Sequence, residues 1–245
     1  MDRRIPSSRT RSARERPVAI VTGAGRGIGR ATAEALGAKG YALVLAELMP
    51  GLGRTAERAL KKAGYDAIFV QTDVSEPDSA TRCVQAAMRR FGRIDCLVNN
   101  AGVLSVGPLV SLPVGEVNRI LDVNLRGAIL MARAVLPAMI RRGSGVIVSV
   151  SSLLGKSGAG DYVTYCASKF GVVGLTEALA DEVAGKGIKV WAVCPNMVDT
   201  AMARKTGLSA SVRHRALKPE AVAEAIVALA VGSKRAPSGS AIEIV

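Results

Sequence analysis

A tyrosine and a lysine four residues apart, Tyr165 and Lys169, are the candidate pair for acid–base chemistry. They lie in the pattern Val163–Ala184, which predicts a helix, and residues i and i+4 share one face of a helix. A phenol with a pKa near about 10 is a poor acid–base catalyst at neutral pH, and a neighbouring ammonium lowers that pKa by stabilising the phenolate. The pair could therefore exchange a proton with a bound oxygen, although Tyr and Lys at helical spacing are common.

The segment TGAGRGIG, residues 22–29, carries a second kind of chemistry. It follows the β-branched run Val18–Thr22 and opens the helical pattern Ile28–Lys39, with glycines at 23, 27 and 29 in a G-x-x-x-G-x-G spacing. Glycines allow a tight turn and a close approach of the backbone to a pyrophosphate, whose charge is favoured at a helix N-terminus. A glycine-rich turn alone is weak evidence for a pyrophosphate-binding loop, and the strand–turn–helix context strengthens that evidence.

Glu47 ends the second predicted strand, 18 residues after Gly29. A carboxylate there can accept hydrogen bonds from ribose hydroxyls and would repel a 2′-phosphate, which favours NAD over NADP. Arg26 and Arg30 favour the opposite choice, because a guanidinium could pair with that phosphate. We give the carboxylate more weight because it would occupy the place of the phosphate, and NADP stays the alternative. The alternative interpretation is that Glu47 is an ordinary acidic residue on the surface, without a role in binding.

The net charge of +13 is concentrated in two segments. Residues 1–16 hold +4 without apolar periodicity and predict a disordered basic tail ahead of a catalytic domain over 17–245. A lid over about 201–218 could attract an anionic substrate such as an acyl thioester, although a solvated basic loop is more common. Aromatic residues make up only 3%, which argues against a base-stacking surface. The lid's charges are Arg204, Lys205, Arg213, Arg215 and Lys218, with His214 among them.

The cysteines indicate a protein that resides in a reducing compartment and binds no metal. Cys83, Cys96, Cys166 and Cys194 have no C-x-x-C spacing and are predicted to be small buried residues, and His214 is the only histidine. We expect no metal, no disulfide framework and a cytoplasmic location. No uninterrupted apolar run approaches the about 18 residues of a membrane span, so no membrane is expected.

Short apolar runs alternate with longer helical patterns and predict a single doubly wound α/β Rossmann domain, with about seven parallel strands and helices on both faces. The predicted strands are Val18–Thr22, Ala42–Ala46, Ala67–Gln71, Cys96–Asn99, Val146–Val150, Lys189–Val193 and Ala241–Val245. The predicted helices are Ile28–Lys39, Gly53–Ala63, Asp78–Arg90, a single long helix from about Glu116 to Arg141, Val163–Ala184 and Glu220–Ala230.

Five motifs taken together resemble the short-chain dehydrogenase/reductase family, and more narrowly its 3-oxoacyl-acyl-carrier-protein reductases. They are TGAGRGIG, TDV at 72–74, NNAG at 99–102, the thirteen-residue spacing from Ser152 to Tyr165, and YCASK at 165–169. They occur in the family's order from about Val18 to Val245. The resemblance implies a catalytic tetrad of Asn124, Ser152, Tyr165 and Lys169. Tyr165 would exchange a proton with the substrate oxygen that Ser152 holds, and Asn124 would hold a water leading to Lys169.

The resemblance also implies the cofactor contacts. Asp73 would meet the adenine amine, Asn100 the adenosine ribose, and Lys169 the nicotinamide ribose. Where the family has Gly after Pro195, this chain has Asn196, which tolerates a left-handed backbone. The full set is Gly23, Arg26, Gly27, Ile28, Gly29, Glu47, Asp73, Val74, Asn100, Ala101, Gly102, Tyr165, Lys169, Pro195, Val198 and Thr200.

The predicted function is hydride transfer between NAD(P) and a secondary alcohol or ketone. A 3-oxoacyl thioester reductase is the leading interpretation, and a sugar, polyol or other small-alcohol dehydrogenase is the alternative. A different class, a basic nucleic-acid-binding protein on a Rossmann scaffold, would show affinity that falls steeply with salt and ignores NAD. In the family, the long helix and the Tyr165 helix form a bundle between subunits, so we expect a dimer or a homotetramer.

Overall fold

The computed structural model describes residues 16–206 and 216–245. Its centre is a parallel sheet of seven strands in the order β3-β2-β1-β4-β5-β6-β7. The strand order reverses between β1 and β4, and open α/β sheets bind ligands outside the carboxyl ends of the strands at such a point. The strands are β1 Val18–Thr22, β2 Ala42–Glu47, β3 Ala67–Gln71, β4 Cys96–Asn99, β5 Gly145–Val150, β6 Ile188–Pro195 and β7 Ala241–Ile244.

Helices cover both faces of the sheet, which confirms the predicted fold class. The α-helices are α1 Gly27–Ala38, α2 Pro50–Lys62, α3 Pro77–Phe91, α4 Val114–Leu121, α5 Gly127–Arg142, α6 Val163–Glu182 and α7 Pro219–Ala230. Short 3₁₀ turns span Leu109–Ser111, Leu153–Gly155 and Ala203–Thr206. Strand β1, with all five residues buried, contributes to the apolar layers on both sides because successive side chains point to opposite faces.

The predicted long helix is interrupted. Between α4 and α5, residues Asp122–Arg126 form a π-helical turn that contains Asn124. A single helix of one period over Glu116–Arg141 is therefore a wrong prediction at this point. A π turn inserts a residue relative to the α-helical pattern and so rotates the side chains around it. Apolar periodicity does not reveal it, because the flanking residues keep the helical pattern.

The stretch Val114–Arg142 is also the one helical stretch in the described ranges that is long and apolar enough to cross a membrane, by length and composition alone. Our expectation that nothing reaches that length was wrong, because it counted only runs uninterrupted by charge. Met131, Val135 and Met139 from this stretch are fully buried in the layer against the sheet. The stretch therefore has the buried face of a core helix of a soluble fold.

All four cysteines are buried and free, as predicted. Cys83, Cys96 and Cys194 are completely inaccessible, and burial raises the pKa of each of these three thiols. In the part of the chain that the structure describes, no group of three or more His, Cys, Asp or Glu side chains is arranged to hold a metal ion. These cysteines are accordingly packing residues.

Candidate active site

A cavity of about 670 Å³ opens at the carboxyl ends of the strands, on both sides of the point where the strand order reverses. Its walls come from the glycine-rich loop after β1 and from the segments that follow β2, β3, β4, β5 and β6. A more open groove of about 800 Å³ lies beside the start of β6 and the segment before β7 and contains none of the predicted site residues. The first cavity is therefore the candidate active site.

The structure brings nearly every predicted site residue to this cavity. Gly29 and Asn124 are the two exceptions, and both are buried just behind the wall. The predicted residues that line it are Gly23, Arg26, Gly27, Ile28, Glu47, Asp73, Val74, Asn100, Ala101, Gly102, Ser152, Tyr165, Lys169, Pro195, Val198 and Thr200.

The glycine-rich loop needs its glycines for two physical reasons. Gly23 and Gly27 have φ angles of 62° and 54°, in the left-handed region that disfavours a side chain. A Cβ on Gly29 would lie 2.3 Å from the Gly23 carbonyl oxygen, so no side chain fits there. The loop delivers the chain to the N-terminus of α1, where no side-chain hydrogen bond caps the helix and no acid occupies the first turn. The free amides of that turn suit an anion such as a pyrophosphate.

Asn100 and Thr22 tie the glycine-rich loop to the end of β4. The Asn100 Nδ2 donates to the carbonyl oxygens of Thr22 and Gly23 at 2.8 and 3.2 Å. The Thr22 Oγ1 accepts from the backbone amides of Asn100 and Ala101 at 2.9 and 3.0 Å. Thr22, which we did not single out, therefore shapes the site, and its position as the first residue of TGAGRGIG was the available signal.

Glu47 is fixed against the same loop. It is 8% exposed, and its two carboxylate oxygens accept from the backbone amides of Gly25 at 3.0 Å and Met49 at 3.1 Å. Arg30 pairs with Glu34 at 2.6 Å on α1 and does not line the cavity, whereas Arg26 lines it. Of the three charges weighed in the sequence, the carboxylate and one guanidinium thus border the cavity.

Asp73, at the other end of this wall, is held by its own turn. Its Oδ1 accepts from the backbone amide and the hydroxyl of Ser75, at 3.0 and 2.6 Å. The neighbouring Val74 is buried and packs against Gly127, where a Cβ would lie 2.7 Å from the valine side chain. The arrangement leaves Asp73 and Val74 at the cavity wall with fixed backbones.

Tyr165, Ser152 and Lys169 meet on the opposite side of the cavity. Ser152 follows β5 and accepts from the Leu154 amide at 3.1 Å, and Tyr165 and Lys169 come from the first turns of α6. The Lys169 Nζ lies 5.6 Å from the centre of the Tyr165 ring and donates to the Val150 carbonyl oxygen at 2.8 Å. The predicted sharing of one helix face is therefore observed, with the ammonium beside the ring.

The electrostatics of this group differ from the sequence-based expectation. Burial raises the pKa of the Tyr165 phenol to about 12, against a smaller lowering by its hydrogen bond with Ser152. Burial lowers the pKa of the Lys169 ammonium from 10.5 to about 8. We expected the ammonium to depress the phenol pKa, and in the chain alone desolvation outweighs that effect. At pH 7 this leaves Tyr165 as a neutral proton donor beside a predominantly protonated Lys169.

Asn124 lies behind the cavity wall and links two of the elements that form the site. Its Oδ1 accepts from the Val103 amide at 2.7 Å, while its Nδ2 donates to the Val103 carbonyl oxygen at 3.0 Å and to the Ser168 hydroxyl at 3.1 Å. Because both ends of the amide are occupied, the side chain joins the loop after β4 to α6. Sequence reasoning missed Ser168, although it belongs to YCASK.

Comparisons with known proteins agree with this geometry. A sequence profile described as short chain dehydrogenase matches residues 17–210. The chain belongs to the short-chain dehydrogenase family. A cis-4-hydroxycyclohexanecarboxylate dehydrogenase from Sinomonas cyclohexanicum is 41% identical over 223 residues, covering 87% of this chain and 88% of that protein. A 3-oxoacyl-acyl-carrier-protein reductase from Thermotoga maritima is 34% identical over 238 residues, covering 94% and 96%.

The fold agrees as well. The crystal structure of a levodione reductase superposes with a TM-score of 0.86 at 29% identity, covering 93% of this chain and 95% of that one. This short-chain dehydrogenase is thus an oxidoreductase that acts on hydroxyl and keto groups, and its family uses the nicotinamide cofactors NAD and NADP. The cavity fits such a group: it combines a left-handed glycine turn, uncapped helix amides for a pyrophosphate and a carboxylate for a ribose.

The segment after β6 holds one correction. Asn196 is not in the left-handed region, because Asp161 is the one non-glycine residue with positive φ in the described ranges. The Asn196 amide instead donates to the Ile244 carbonyl oxygen at 2.9 Å, and its side-chain oxygen accepts from the Met197 amide at 2.8 Å. Asparagine thus occupies the position of the family's glycine with a hydrogen bond to β7 and without a left-handed backbone.

The lid is partly described. Val198 and Leu217 form an isolated parallel bridge that closes its base, and Arg204 pairs with Asp199 at 3.3 Å. The predicted charges Arg213, His214 and Arg215 lie outside the described residues, as do residues 1–15 of the basic tail and the Lys205 side chain. Asp199 therefore offsets one lid charge that we counted as unopposed.

The half of the cavity beyond Tyr165 is lined by the loops that follow β4, β5 and β6, from which we predicted no individual substrate contact. Its wall is mostly apolar and its loops share no motif, so the available signal was only that these loops follow strand ends. Ser152 and Tyr165 lie at the boundary between the two halves. The apolar residues of this wall are Val103, Leu104, Leu153, Leu154, Ala159, Met197 and Met202.

Proposed function

We propose that this short-chain dehydrogenase is an NAD(H)-preferring reductase of a 3-oxoacyl thioester, working through Tyr165. The observation that carries the proposal is the meeting of Tyr165, Ser152 and Lys169 in one cavity with the glycine-rich loop and Glu47. Relatives named as 3-oxoacyl-acyl-carrier-protein reductases support this substrate. The apolar far half of the cavity suits an acyl chain.

The chain's residues divide the chemistry as follows. The cofactor, when bound, supplies a hydride for reduction or accepts one for oxidation. In reduction Tyr165 gives its phenolic proton to the carbonyl oxygen as the carbon accepts the hydride, so the ketone becomes an alcohol. Ser152 holds the same oxygen by a hydrogen bond. The Lys169 ammonium then stabilises the phenolate left behind, and Asn124 positions the loop and helix that carry this group.

The preference for NAD follows from Glu47. Its carboxylate borders the cavity with both oxygens held by backbone amides, so it cannot turn away from a ribose without losing those bonds. A cofactor phosphate at that point would face a fixed like charge. The Arg26 side chain, which has no hydrogen bond or ion pair within the described residues, is the feature that favours NADP and makes that cofactor the alternative.

A second candidate substrate class is a small cyclic or polyol alcohol. The relative from Sinomonas cyclohexanicum is named for a ring alcohol and is more identical to this chain than the thioester reductases cited above. Only the thioester class carries an acyl group that continues past the reacting carbon. The panel of test substrates must therefore contain members of both classes.

Self-association as a dimer or homotetramer is part of the proposal. Ile129 on α5, with Val163 and Phe170 on α6, exposes between 41% and 45% of its surface, which is unusual for large apolar residues on two neighbouring helices. Light scattering should give at least twice the chain mass, and Phe170→Glu should lower it. A monomeric wild type would contradict this part. We also propose a cytoplasmic location and a tail separate from the catalytic domain over 17–245.

The test of function is a turnover screen that follows the absorbance of the reduced nicotinamide. The wild type is offered NADH or NADPH with a 3-oxoacyl thioester, a cyclic ketone, a sugar and a plain ketone, and NAD⁺ or NADP⁺ with the corresponding alcohols. We expect the thioester with NADH to give the highest kcat/KM. A wild type that turns over no ketone or alcohol with either cofactor would contradict the proposed function.

A further inference from the structure

The apolar half of the cavity contains a second phenol, at Tyr162. The residue lines the cavity, is half-buried and directly precedes α6, three positions before Tyr165. The Tyr162 backbone, with φ of −112° and ψ of 16°, lies just outside the regular helix. The cavity lining therefore contains two phenols, of which only Tyr165 belongs to the tetrad.

The Tyr162 hydroxyl forms no hydrogen bond with any residue in the described ranges, whereas the Tyr165 phenol bonds to Ser152. Asn196 is the other polar side chain beyond Ser152 on this wall, and it is exposed with its Oδ1 bonded to the Met197 amide. A half-buried hydroxyl among leucines and methionines is stabilised when a ligand supplies the missing acceptor or donor.

The backbone around Tyr162 is fixed from both sides. The Tyr162 carbonyl accepts the first helical bond of α6 from the Cys166 amide at 2.7 Å. Asp161, just before it, has φ of 62° and its carbonyl accepts from the Gly107 amide at 2.9 Å, which ties this turn to the loop after β4. A non-glycine residue held in the left-handed region next to a cavity is a feature that clusters at functional sites.

We infer that Tyr162 is a specificity-determining residue whose hydroxyl donates a hydrogen bond to a second oxygen of the substrate, close to the carbonyl that reacts at Tyr165. The substrate class is then a compound with two oxygens separated by a short carbon bridge, such as a β-dicarbonyl, rather than a simple ketone. The inference rests on the proposed function and assigns a residue to the second carbonyl oxygen of its substrate.

The experiment compares two substrates of equal chain length, ethyl 3-oxobutanoate and 2-heptanone, which differ in the ester group. We expect the wild type to prefer the ester, and Tyr162→Phe to lower the ratio of the two kcat/KM values by about tenfold, the effect of one lost neutral hydrogen bond. Tyr65→Phe is the matched control. That phenol packs on Gly37 of α1, far from the cavity, and its removal should leave the ratio as it is.

Binding provides the second readout. Calorimetry of the ester and of 2-heptanone with the NAD⁺-loaded protein, which has no hydride to transfer to them, should show the same preference and the same loss in Tyr162→Phe. An unchanged ratio in Tyr162→Phe, or a wild type without preference for the ester in turnover or binding, overturns the inference. Tyr165→Phe separates the two claims: activity that survives it contradicts the proposed chemistry, whatever the Tyr162 result.

Discussion

The two halves of the cavity are built by different means. The half that we propose for the cofactor, the cofactor half, consists of left-handed glycines, backbone amides and side chains whose polar groups are already bonded, such as Asn100 and Glu47. The half that we propose for the substrate, the substrate half, consists of mostly apolar loop side chains and of Tyr162, whose hydroxyl has no hydrogen-bond partner among the described residues. Backbone geometry tolerates few residue types, whereas an apolar wall tolerates many of similar volume. The first half therefore carries a readable motif and the second does not.

Lys169→Met should have the largest effect on turnover, because it removes the ammonium that stabilises the phenolate of Tyr165. We expect kcat to fall by about 10²–10⁴-fold, the usual contribution of a positioned acid–base group. The unfolding free energy at pH 7 should not fall. The lowering of the Lys169 pKa from 10.5 to about 8 corresponds to about 3 kcal/mol of desolvation that the methionine avoids.

The direction of the Lys169 pKa shift determines how the unfolding free energy depends on pH. The folded-state pKa of Lys169 lies below the unfolded value, so the penalty is fully present below pH 8 and is lost as pH rises from 8 to 10.5. The stability advantage of Lys169→Met should shrink over that window in chemical denaturation. A constant difference between pH 7 and 10.5 would contradict the assignment of the penalty to a buried charge.

Gly29→Ala breaks the cofactor half alone. Its Cβ would lie 2.3 Å from the Gly23 carbonyl oxygen, so the loop must move and NADH affinity should fall by about tenfold to a hundredfold. The control is Gly51→Ala in α2, where no atom lies within 4 Å and φ is not positive. NADH titration by fluorescence measures both. Equal affinities in the two variants would show that the loop is not the binding element.

Glu47→Gln tests the choice between NADH and NADPH and should have a smaller effect. Glutamine keeps the shape and one acceptor oxygen but removes the charge, so the preference for NADH over NADPH should fall by about tenfold. The ratio of the two kcat/KM values measures it. A wild type that already prefers NADPH would assign the cofactor choice to Arg26 instead.

Met197→Leu tests the tolerance of the substrate half and should have the smallest effect. A volume-conserving exchange costs less than about 1.5 kcal/mol, so KM should change by a few fold while NADH affinity stays constant. Steady-state kinetics and the same NADH titration measure this. A loss of NADH affinity would mean that the two halves are not separate.

The same contrast explains what the sequence could predict. The strands, the loop at 22–29 and the pair of Tyr165 and Lys169 follow from apolar runs, glycines and helical spacing, whereas Ser152 and Asn124 follow from the resemblance to the family. The π turn at Asn124 was missed because its apolar neighbours keep the pattern of a plain helix. The pKa values of Tyr165 and Lys169 depend on how deeply the fold buries them, which spacing does not encode. Tyr162 was missed because its significance lies in an absent hydrogen-bond partner, which only the packed structure reveals.

The central claim is that Tyr165 supplies the proton in a cavity that already binds the cofactor. Single-turnover reduction of a 3-oxoacyl thioester by the NADH-loaded protein tests it most directly, with Tyr165→Phe beside the wild type and NADH affinity measured on the same samples. We predict that the variant can still be saturated with NADH and that, once saturated, it reduces the thioester about 10²–10⁴-fold more slowly than the wild type. A variant that reduces the thioester at the wild-type rate would contradict the account.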